Sequence, residues 1–214
     1  MGNYVITIAR GYGSGGRTIG KMLAQELGIS CYDRELMRLA SDESGINESL
    51  FAKADEKLKS SLLFKVAKNT YKGEIIGPDS DEFVSNDNLF NYQAKVLKEL
   101  AEKESYVVIG RCADFILKDV CNCYNIFLYA KKDFKVQQIM QREHLDEMVA
   151  MKHMKDTNKK RFVHYKYYTG RVWGLSKNYN LCLDVSTLGT DAIVAMIKQY
   201  IVFSQENTKN IDLL

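Results

Sequence analysis

A glycine-rich segment near the N-terminus has the composition and spacing of a phosphate-binding loop. Four of the six residues from Gly11 to Gly16 are glycine, and Arg17 and Thr18 follow directly. The pattern Gly-x-x-x-x-Gly-x-Thr is that of a P-loop, although arginine stands where lysine is usual. Glycine is needed in such a loop because several backbone N–H groups must converge on phosphate oxygens, and side chains would block that approach.

The P-loop interpretation gives each residue of this segment a role. The backbone and the positive end of the following helix would hold the phosphates of ATP, and the Thr18 hydroxyl would bind Mg²⁺. Arg17 would supply the catalytic cation, since arginine is always charged and can bond two oxygens at once, although it is bulkier than lysine. The residues predicted to bind ATP are Gly11, Gly13, Ser14, Gly15, Gly16, Arg17 and Thr18.

Two other interpretations of the same loop remain open. Gly11, Gly13 and Gly16 also fit the dinucleotide fingerprint Gly-x-Gly-x-x-Gly, which requires an acidic residue near the end of the second strand. Asp33 stands at that point of the sequence. The remaining possibility is a glycine-rich turn that binds no ligand.

The sequence around the loop predicts a strand before it and a helix after it. Tyr4 to Ala9 is a short apolar run that contains β-branched residues, and apolar residues then recur at helical spacing up to Gly28. Four further strands are predicted at Ile29 to Tyr32, Tyr106 to Ile109, Cys123 to Ala130 and Leu181 to Val185. Strands that alternate with helices predict an α/β protein, a P-loop NTPase-type three-layer fold with a parallel central sheet.

The predicted organisation is a single domain over residues 1–203, with a polar tail at 204–214. Residues 41–88 are predicted to be an inserted, mostly helical segment, with a loop from about Lys72 to Asn88. Ser85 is a candidate cap for the helix that follows.

A strongly basic segment is predicted to form a lid over residues 150–171. Lys152 to Arg171 contains one acidic residue, Asp156, and three interleaved tyrosines. Closure of a lid would lower Lys159, Lys160 or Arg161 onto the phosphates. Nucleic-acid binding and a solvated helix face with packed tyrosines are the alternatives. The overall net charge of +3 argues against nucleic acid.

The composition is typical of a soluble globular protein, and the cysteines predict a cytoplasmic location. Hydrophobic residues make up 46% of the 214, and no apolar run approaches the length of a membrane span. The five cysteines are irregularly spaced and show no zinc pattern, so we expect reduced thiols.

Several motifs together resemble the cytidylate kinase-like family of P-loop nucleoside monophosphate kinases. They are the loop Gly13 to Arg17, the pair Tyr32-Asp33, the segment Gly110-Arg111-Cys112-Ala113-Asp114, and late residues that include Trp173-Gly174. The resemblance extends over residues 3–203. Arginine is common in the P-loop of this family, so Arg17 resembles the residue that other members carry there.

The resemblance implies Mg²⁺-dependent transfer of the ATP γ-phosphate to a nucleoside monophosphate, with CMP or dCMP as the acceptor. Asp33 matches an acidic residue near the acceptor nucleotide, and Arg111 matches an arginine that contacts the acceptor phosphate. The stretch Asp156 to Arg161 resembles the lid motif, which gives Arg161 a catalytic role. The family's Gly-Arg-Asp is Gly-Arg-Cys here, and Asp114 is the nearest aspartate that follows it.

Two alternative functions remain open. The chain has no P-loop lysine and no acidic residue in Tyr106 to Ile109, which suits a regulatory protein that binds nucleotides without turnover. A kinase acting on another small acceptor would use the same loop.

Overall fold

The centre of the molecule is a parallel β-sheet with strand order β2-β3-β1-β4-β5. The structure is a computed structural model and describes residues 2–57, 73–120 and 122–211. The strands are β1 (Tyr4–Arg10), β2 (Ser30–Tyr32), β3 (Tyr106–Ile109), β4 (Asn122–Tyr129) and β5 (Leu181–Asp184). The predicted parallel sheet is therefore confirmed.

The central strand β1 is buried on both faces, which explains its nearly continuous apolar sequence. It pairs with β3 on one side, where Ile8 lies beside Ile109, and with β4 on the other, where Ile8 lies beside Ile126. Val5 and Ile8 are both fully buried, and they face opposite sides of the sheet. Pairing with β3 ends at Ile8, and pairing with β4 continues to Arg10, so the sheet holds the backbone up to the start of the glycine loop.

Helices cover both faces of the sheet and complete the predicted three-layer fold. One face packs on helices that include α2, α3 and α4, and the other on α1 and α9. The helices are α1 (Gly16–Leu27), α2 (Glu35–Ser44), α3 (Glu48–Lys57), α4 (Asn86–Lys103), α5 (Ala113–Ile116), α6 (Lys132–Glu143), α7 (Glu147–Thr169), α8 (Val185–Leu188) and α9 (Thr190–Ile211).

The predicted insertion at residues 41–88 is only partly described. Its first part contains the end of α2 and all of α3, residues 58–72 lie outside the described residues, and 73–85 form turns without regular structure. Asn88 holds these turns: its side-chain carbonyl accepts from the Ile76 N–H at 2.8 Å, and its amide donates to the carbonyls of Ile76 and Phe83. The predicted cap is confirmed, because the Ser85 hydroxyl accepts from the Asn88 N–H.

Helix α9 continues into the segment predicted to be a polar tail. It runs to Ile211, and Ile193, Ile197 and Ile201 bury its first turns against the sheet face that α1 also covers. Once those turns are packed, adding further residues to the helix is easy because each forms a hydrogen bond. Residues 212–214 lie outside the described residues.

None of the helices in the described ranges combines the length and the apolar character that crossing a membrane requires.

Removing the cap of α4 should destabilise the protein measurably. We expect Ser85→Ala to lower the free energy of unfolding by about 1 kcal/mol, because the first turn of α4 loses a hydrogen-bond acceptor. Urea denaturation measures this change, with Ser49→Ala at an exposed position of α3 as the control. Equal stability of the two variants would contradict a capping role for Ser85.

Candidate active site

The glycine loop lies at the carboxyl edge of the sheet, where parallel α/β proteins bind their ligands. β1 ends at Arg10, and the Gly11 N–H donates to the Leu128 carbonyl at 2.9 Å. Gly13 and Gly15 then take the left-handed conformation, with φ of +83° and +78°. This turn leads into the first residue of α1, Gly16, so the free N–H groups of the helix point toward the loop.

The Ser14 side chain is directed into the protein. Its hydroxyl is buried, donates to the Gly11 carbonyl at 2.9 Å and lies 3.2 Å from the Leu128 carbonyl. The Ser14 N–H also donates to the Gly11 carbonyl, at 3.3 Å, so both the side chain and the backbone donor of Ser14 are paired within the loop. A side-chain role would require these bonds to break.

Thr18 lies on the first turn of α1 and is exposed. Its hydroxyl is thus accessible to Mg²⁺, which keeps several waters and binds phosphate oxygens together with few protein ligands. No group of three His, Cys, Asp or Glu residues that could hold a metal occurs in the ranges the structure describes. The residues present therefore fit an ion held by Thr18 and by nucleotide phosphates, and they do not fit an all-protein metal cage.

Arg17 and Asp33 form an ion pair with each other. Arg17 Nε lies 2.5 Å from Asp33 Oδ2, and the carboxylate is 10% exposed whereas the arginine side chain is 55% exposed. The sequence assigned Arg17 to the donor phosphates and Asp33 to the acceptor. The structure brings these two predicted site residues into direct contact, across the gap between α1 and the end of β2.

Arg111 follows β3 in a turn of unusual backbone conformation. Gly110, Arg111 and Cys112 all have φ in the left-handed region, at +78°, +62° and +54°. This conformation is strained for the two residues that carry a Cβ. The Arg111 Nη1 donates to Gln93 Oε1 at 3.4 Å. Burial, followed by the charge of Arg10, lowers the pKa of Arg111 to about 10, so it remains a cation at neutral pH.

Arg161 joins the basic helix α7 to the loop. Its Nη1 donates to the Arg10 carbonyl at 2.8 Å, and its guanidinium lies 5.3 Å from the centre of the Tyr12 ring. The Tyr12 N–H in turn donates to Asn158 Oδ1 at 2.8 Å. Burial and the charge of Arg10 lower the pKa of Arg161 to about 9. The segment predicted to be a lid is therefore docked on the glycine loop.

Arg10 was not among the residues predicted from the sequence. It lines the same cavity, and the glycines at 16 and 110 leave room for its side chain. A Cβ at Gly16 would lie 2.7 Å from Arg10 Cβ, and one at Gly110 would overlap Arg10 Nη1. The signal in the sequence was an arginine that ends an apolar strand immediately before the loop.

Arg10, Arg17, Asp33, Arg111 and Arg161 line one cavity of about 780 Å³. The other residues predicted to bind ATP, namely Gly11, Gly13, Ser14, Gly15, Gly16 and Thr18, lie outside its lining. The volume lies in the range of small-molecule sites. Charged side chains of the lining are the cations Arg10, Arg17, Arg34, Arg111, Lys160 and Arg161 and the acids Asp33, Glu48 and Asp114. The excess of cations suits a ligand with several negative charges.

Asp114 has a structural partner in α7. The Tyr165 hydroxyl donates to Asp114 Oδ2 at 2.6 Å, and both residues are buried. Burial raises the pKa of Asp114. This bond ties the turn that carries Arg111 to the helix that carries Arg161.

His164 lies in the same region and is neutral at physiological pH. Its Nδ1 is 3.6 Å from Cys112 Sγ, and its ring packs 4.8 Å from that of Tyr168. Burial and the nearby Arg111 charge lower the pKa of His164 to about 4. A proton on this ring would add a cation to a cluster that already contains several.

The fold and the loop define a protein of the kinase P-loop type, with a parallel sheet and helices on both faces. Residues 5–187 match the cytidylate kinase-like family, and the chain belongs to that family. The family resemblance is therefore confirmed, and membership supports phosphoryl transfer with a nucleotide as the general class of activity.

Solved structures that share the fold include the following two. An uncharacterized protein from Eubacterium ventriosum ATCC 27560 is 28% identical with a TM-score of 0.68, over 93% of this chain and 98% of that one. A shikimate kinase from Bacteroides thetaiotaomicron is 12% identical with a TM-score of 0.50, over 92% and 98%. No curated protein matches the chain.

The loop glycines should differ sharply in their tolerance of a methyl group. Gly11→Ala should change the free energy of unfolding by less than about 0.5 kcal/mol, because its Cβ would meet nothing closer than 3.8 Å. Gly15→Ala should cost about 1–2 kcal/mol through its left-handed backbone alone.

Gly13→Ala should be the most destabilising substitution of the three. Its Cβ would lie 2.7 Å from the Lys135 carbonyl oxygen in addition to the backbone strain. The expected cost is about 2–5 kcal/mol. Urea denaturation of the three variants checks the order, and similar losses at Gly11 and Gly13 would show that the loop has another conformation.

His164 should make the protein sensitive to mild acid. Its pKa is about 4 in the folded protein against 6.5 as its ordinary value. The unfolded chain therefore binds the proton first as the pH falls through 6.5, and stability decreases. Between pH 7 and 5 the wild type should lose about 2 kcal/mol more than His164→Asn. Denaturant titrations of both proteins at pH 7 and pH 5 measure this difference. Equal losses of stability in the two proteins would mean that His164 is protonated in the folded protein at pH 5.

Proposed function

We propose that this protein transfers the γ-phosphoryl group of MgATP to a nucleoside monophosphate, with CMP or dCMP as the acceptor. The observation that carries the proposal is the convergence of Arg17, Arg111 and Arg161 on one cavity beside the glycine loop. These arginines come from three separate parts of the chain. Phosphoryl transfer needs little covalent help from a protein, but it needs cations around the transferred group and two substrates held in line.

The donor would occupy the glycine loop and the N-terminus of α1. Backbone N–H groups and the helix dipole would hold the phosphates. Mg²⁺, bound by the Thr18 hydroxyl and the phosphate oxygens, would supply charge neutralisation when present. Arg161 already touches the strand end that begins the loop, and it would lie over the transferred group while α7 excludes water.

The acceptor would occupy the side of the cavity formed by Asp33, Arg111 and the helical segment α2–α3. Arg111 would bind its phosphate, since guanidinium groups pair well with phosphate oxygens. The excess of cations in the cavity favours an acceptor that itself carries phosphate. Asp33 and Glu48 provide carboxylates, which can accept a hydrogen bond from the N4 amino group of cytosine.

A regulatory protein that binds nucleotide without turnover is the second candidate, and one observation favours it. Arg17, the cation that replaces the P-loop lysine, is ion-paired with Asp33. A cation held in this way is not directed at a phosphate. A kinase of another small acceptor is the third candidate, since the donor site would be unchanged.

We also propose that the protein acts in the cytoplasm. Cys31, Cys112, Cys123 and Cys182 are free thiols in the described residues. Free thiols are typical of a reducing compartment, and ATP and nucleoside monophosphates are available there.

A transfer assay with a panel of acceptors tests the proposed function. Purified protein, MgATP and each of CMP, dCMP, UMP, AMP, GMP and dTMP are analysed for diphosphate product by mass spectrometry. We expect CMP or dCMP to be converted, and kcat/KM to fall by about 10²-fold or more in Arg17→Ala and in Arg111→Ala because each removes a cation from the reacting groups.

Arg38→Ala is the matched control for this assay. Arg38 is an exposed arginine of α2 that pairs with Asp42 and does not line the cavity. Its activity should equal that of the wild type. Tight ATP binding with no product from any acceptor would support the regulatory protein instead. Transfer at wild-type rates in both cavity variants would contradict the roles given to Arg17 and Arg111.

A further inference from the structure

Arg10 is the last residue of the central strand and lies at the point where the proposed substrates would meet. Its backbone is held by pairing with Leu128 in β4, and its carbonyl accepts the bond from Arg161. The glycine loop begins at the next residue. The sheet therefore sets the backbone position of Arg10.

Two glycines define where the Arg10 side chain runs. Its Cβ passes Gly16, the first residue of α1, and its Nη1 reaches Gly110, the residue before Arg111. A Cβ at either glycine would collide with it. The guanidinium thus lies between the start of α1, which is the proposed donor site, and the turn that carries the proposed ligand of the acceptor phosphate.

Arg10 forms no ion pair of its own within residues 2–57, 73–120 and 122–211. Asp33 is near enough to favour the charged form of Arg10, but its carboxylate is paired with Arg17. Burial lowers the pKa of Arg10 to about 10, and the charge of Arg10 contributes to the lowered pKa values of Arg111 and Arg161. Three cations held together in this way are stabilised by a bound anion.

We propose that Arg10 binds the γ-phosphoryl group of ATP during its transfer and so adds its charge to that of Arg17, which stands where most P-loops have lysine. The proposal rests on the proposed function above. Asp33 pairs with Arg17, so Arg10 supplies a second cation beside that pair, from the end of β1. The path of the Arg10 side chain then requires glycine at positions 16 and 110. At Gly16 the phosphate-binding backbone is a second reason for glycine.

The test measures binding, so it does not depend on turnover. Trp173 is the single tryptophan of the chain and lines the cavity, so its fluorescence reports ligand binding. MgADP and the Mg²⁺ complex of the non-hydrolysable ATP analogue AMP-PNP are titrated into wild type, Arg10→Gln and the surface control Arg38→Gln. Only the analogue carries a γ-phosphate group.

We expect Arg10→Gln to weaken AMP-PNP binding by about 10- to 100-fold, because a charge-assisted bond to phosphate is lost. MgADP binding should weaken by less than about threefold, and Arg38→Gln should bind both ligands as the wild type does. Equal losses for the two nucleotides, or no loss for either, would overturn the proposal. Thermal unfolding of each variant checks that it is folded.

The outcomes separate this proposal from the proposed function. If the wild type transfers no phosphate but Arg10→Gln loses affinity for AMP-PNP selectively, the kinase assignment fails and the role of Arg10 stands. If the wild type is an active kinase and the variant binds both nucleotides normally, only the role of Arg10 fails. Should Arg10→Gln not fold, Arg10→Met, which keeps a long side chain but removes the charge, takes its place. A loss confined to AMP-PNP then supports the proposal, whereas equal losses or no loss overturn it.

Discussion

Burial of Arg10, Arg111 and Arg161, with repulsion of the last two by the charge of Arg10, is the physical constraint on which the site depends. Each guanidinium is desolvated by burial, and the charge of Arg10 disfavours the charged forms of Arg111 and Arg161. The fold holds them because each belongs to a different, independently anchored element: a central strand, a left-handed turn after β3, and a long helix. Because the packing of these elements fixes where each side chain begins, the three cations share one cavity, which suits an anionic ligand.

The remaining contacts of the site link these elements to one another. Tyr165 bonds Asp114 and so joins α7 to the turn after β3, while Asn158 bonds the Tyr12 backbone and joins α7 to the glycine loop. Movement of α7 would therefore displace residues on both the donor and the acceptor sides of the proposed site. The Arg17–Asp33 pair adds a direct link between those two sides.

Most of the fold could be predicted because its signals are local. The strands are short apolar runs, the first helix ends at a glycine that takes the left-handed conformation, and Ser85 has the residue type and position of a cap. The parallel sheet then followed from the alternation of strands and helices. The extent of α9 could not be predicted, because its polar end gave no helical pattern although it continues a well-packed helix.

The sequence by itself determined the glycine loop, its place between a strand and a helix, and the arginines that the family motifs single out. Only the tertiary structure decided which partners those side chains have. Arg17 faces Asp33, the Ser14 hydroxyl turns inward, and Arg10 joins the site. The physical reason is that backbone conformation is governed largely by neighbours in the chain, whereas the direction of a long charged side chain depends on space and charge supplied by residues far away in sequence.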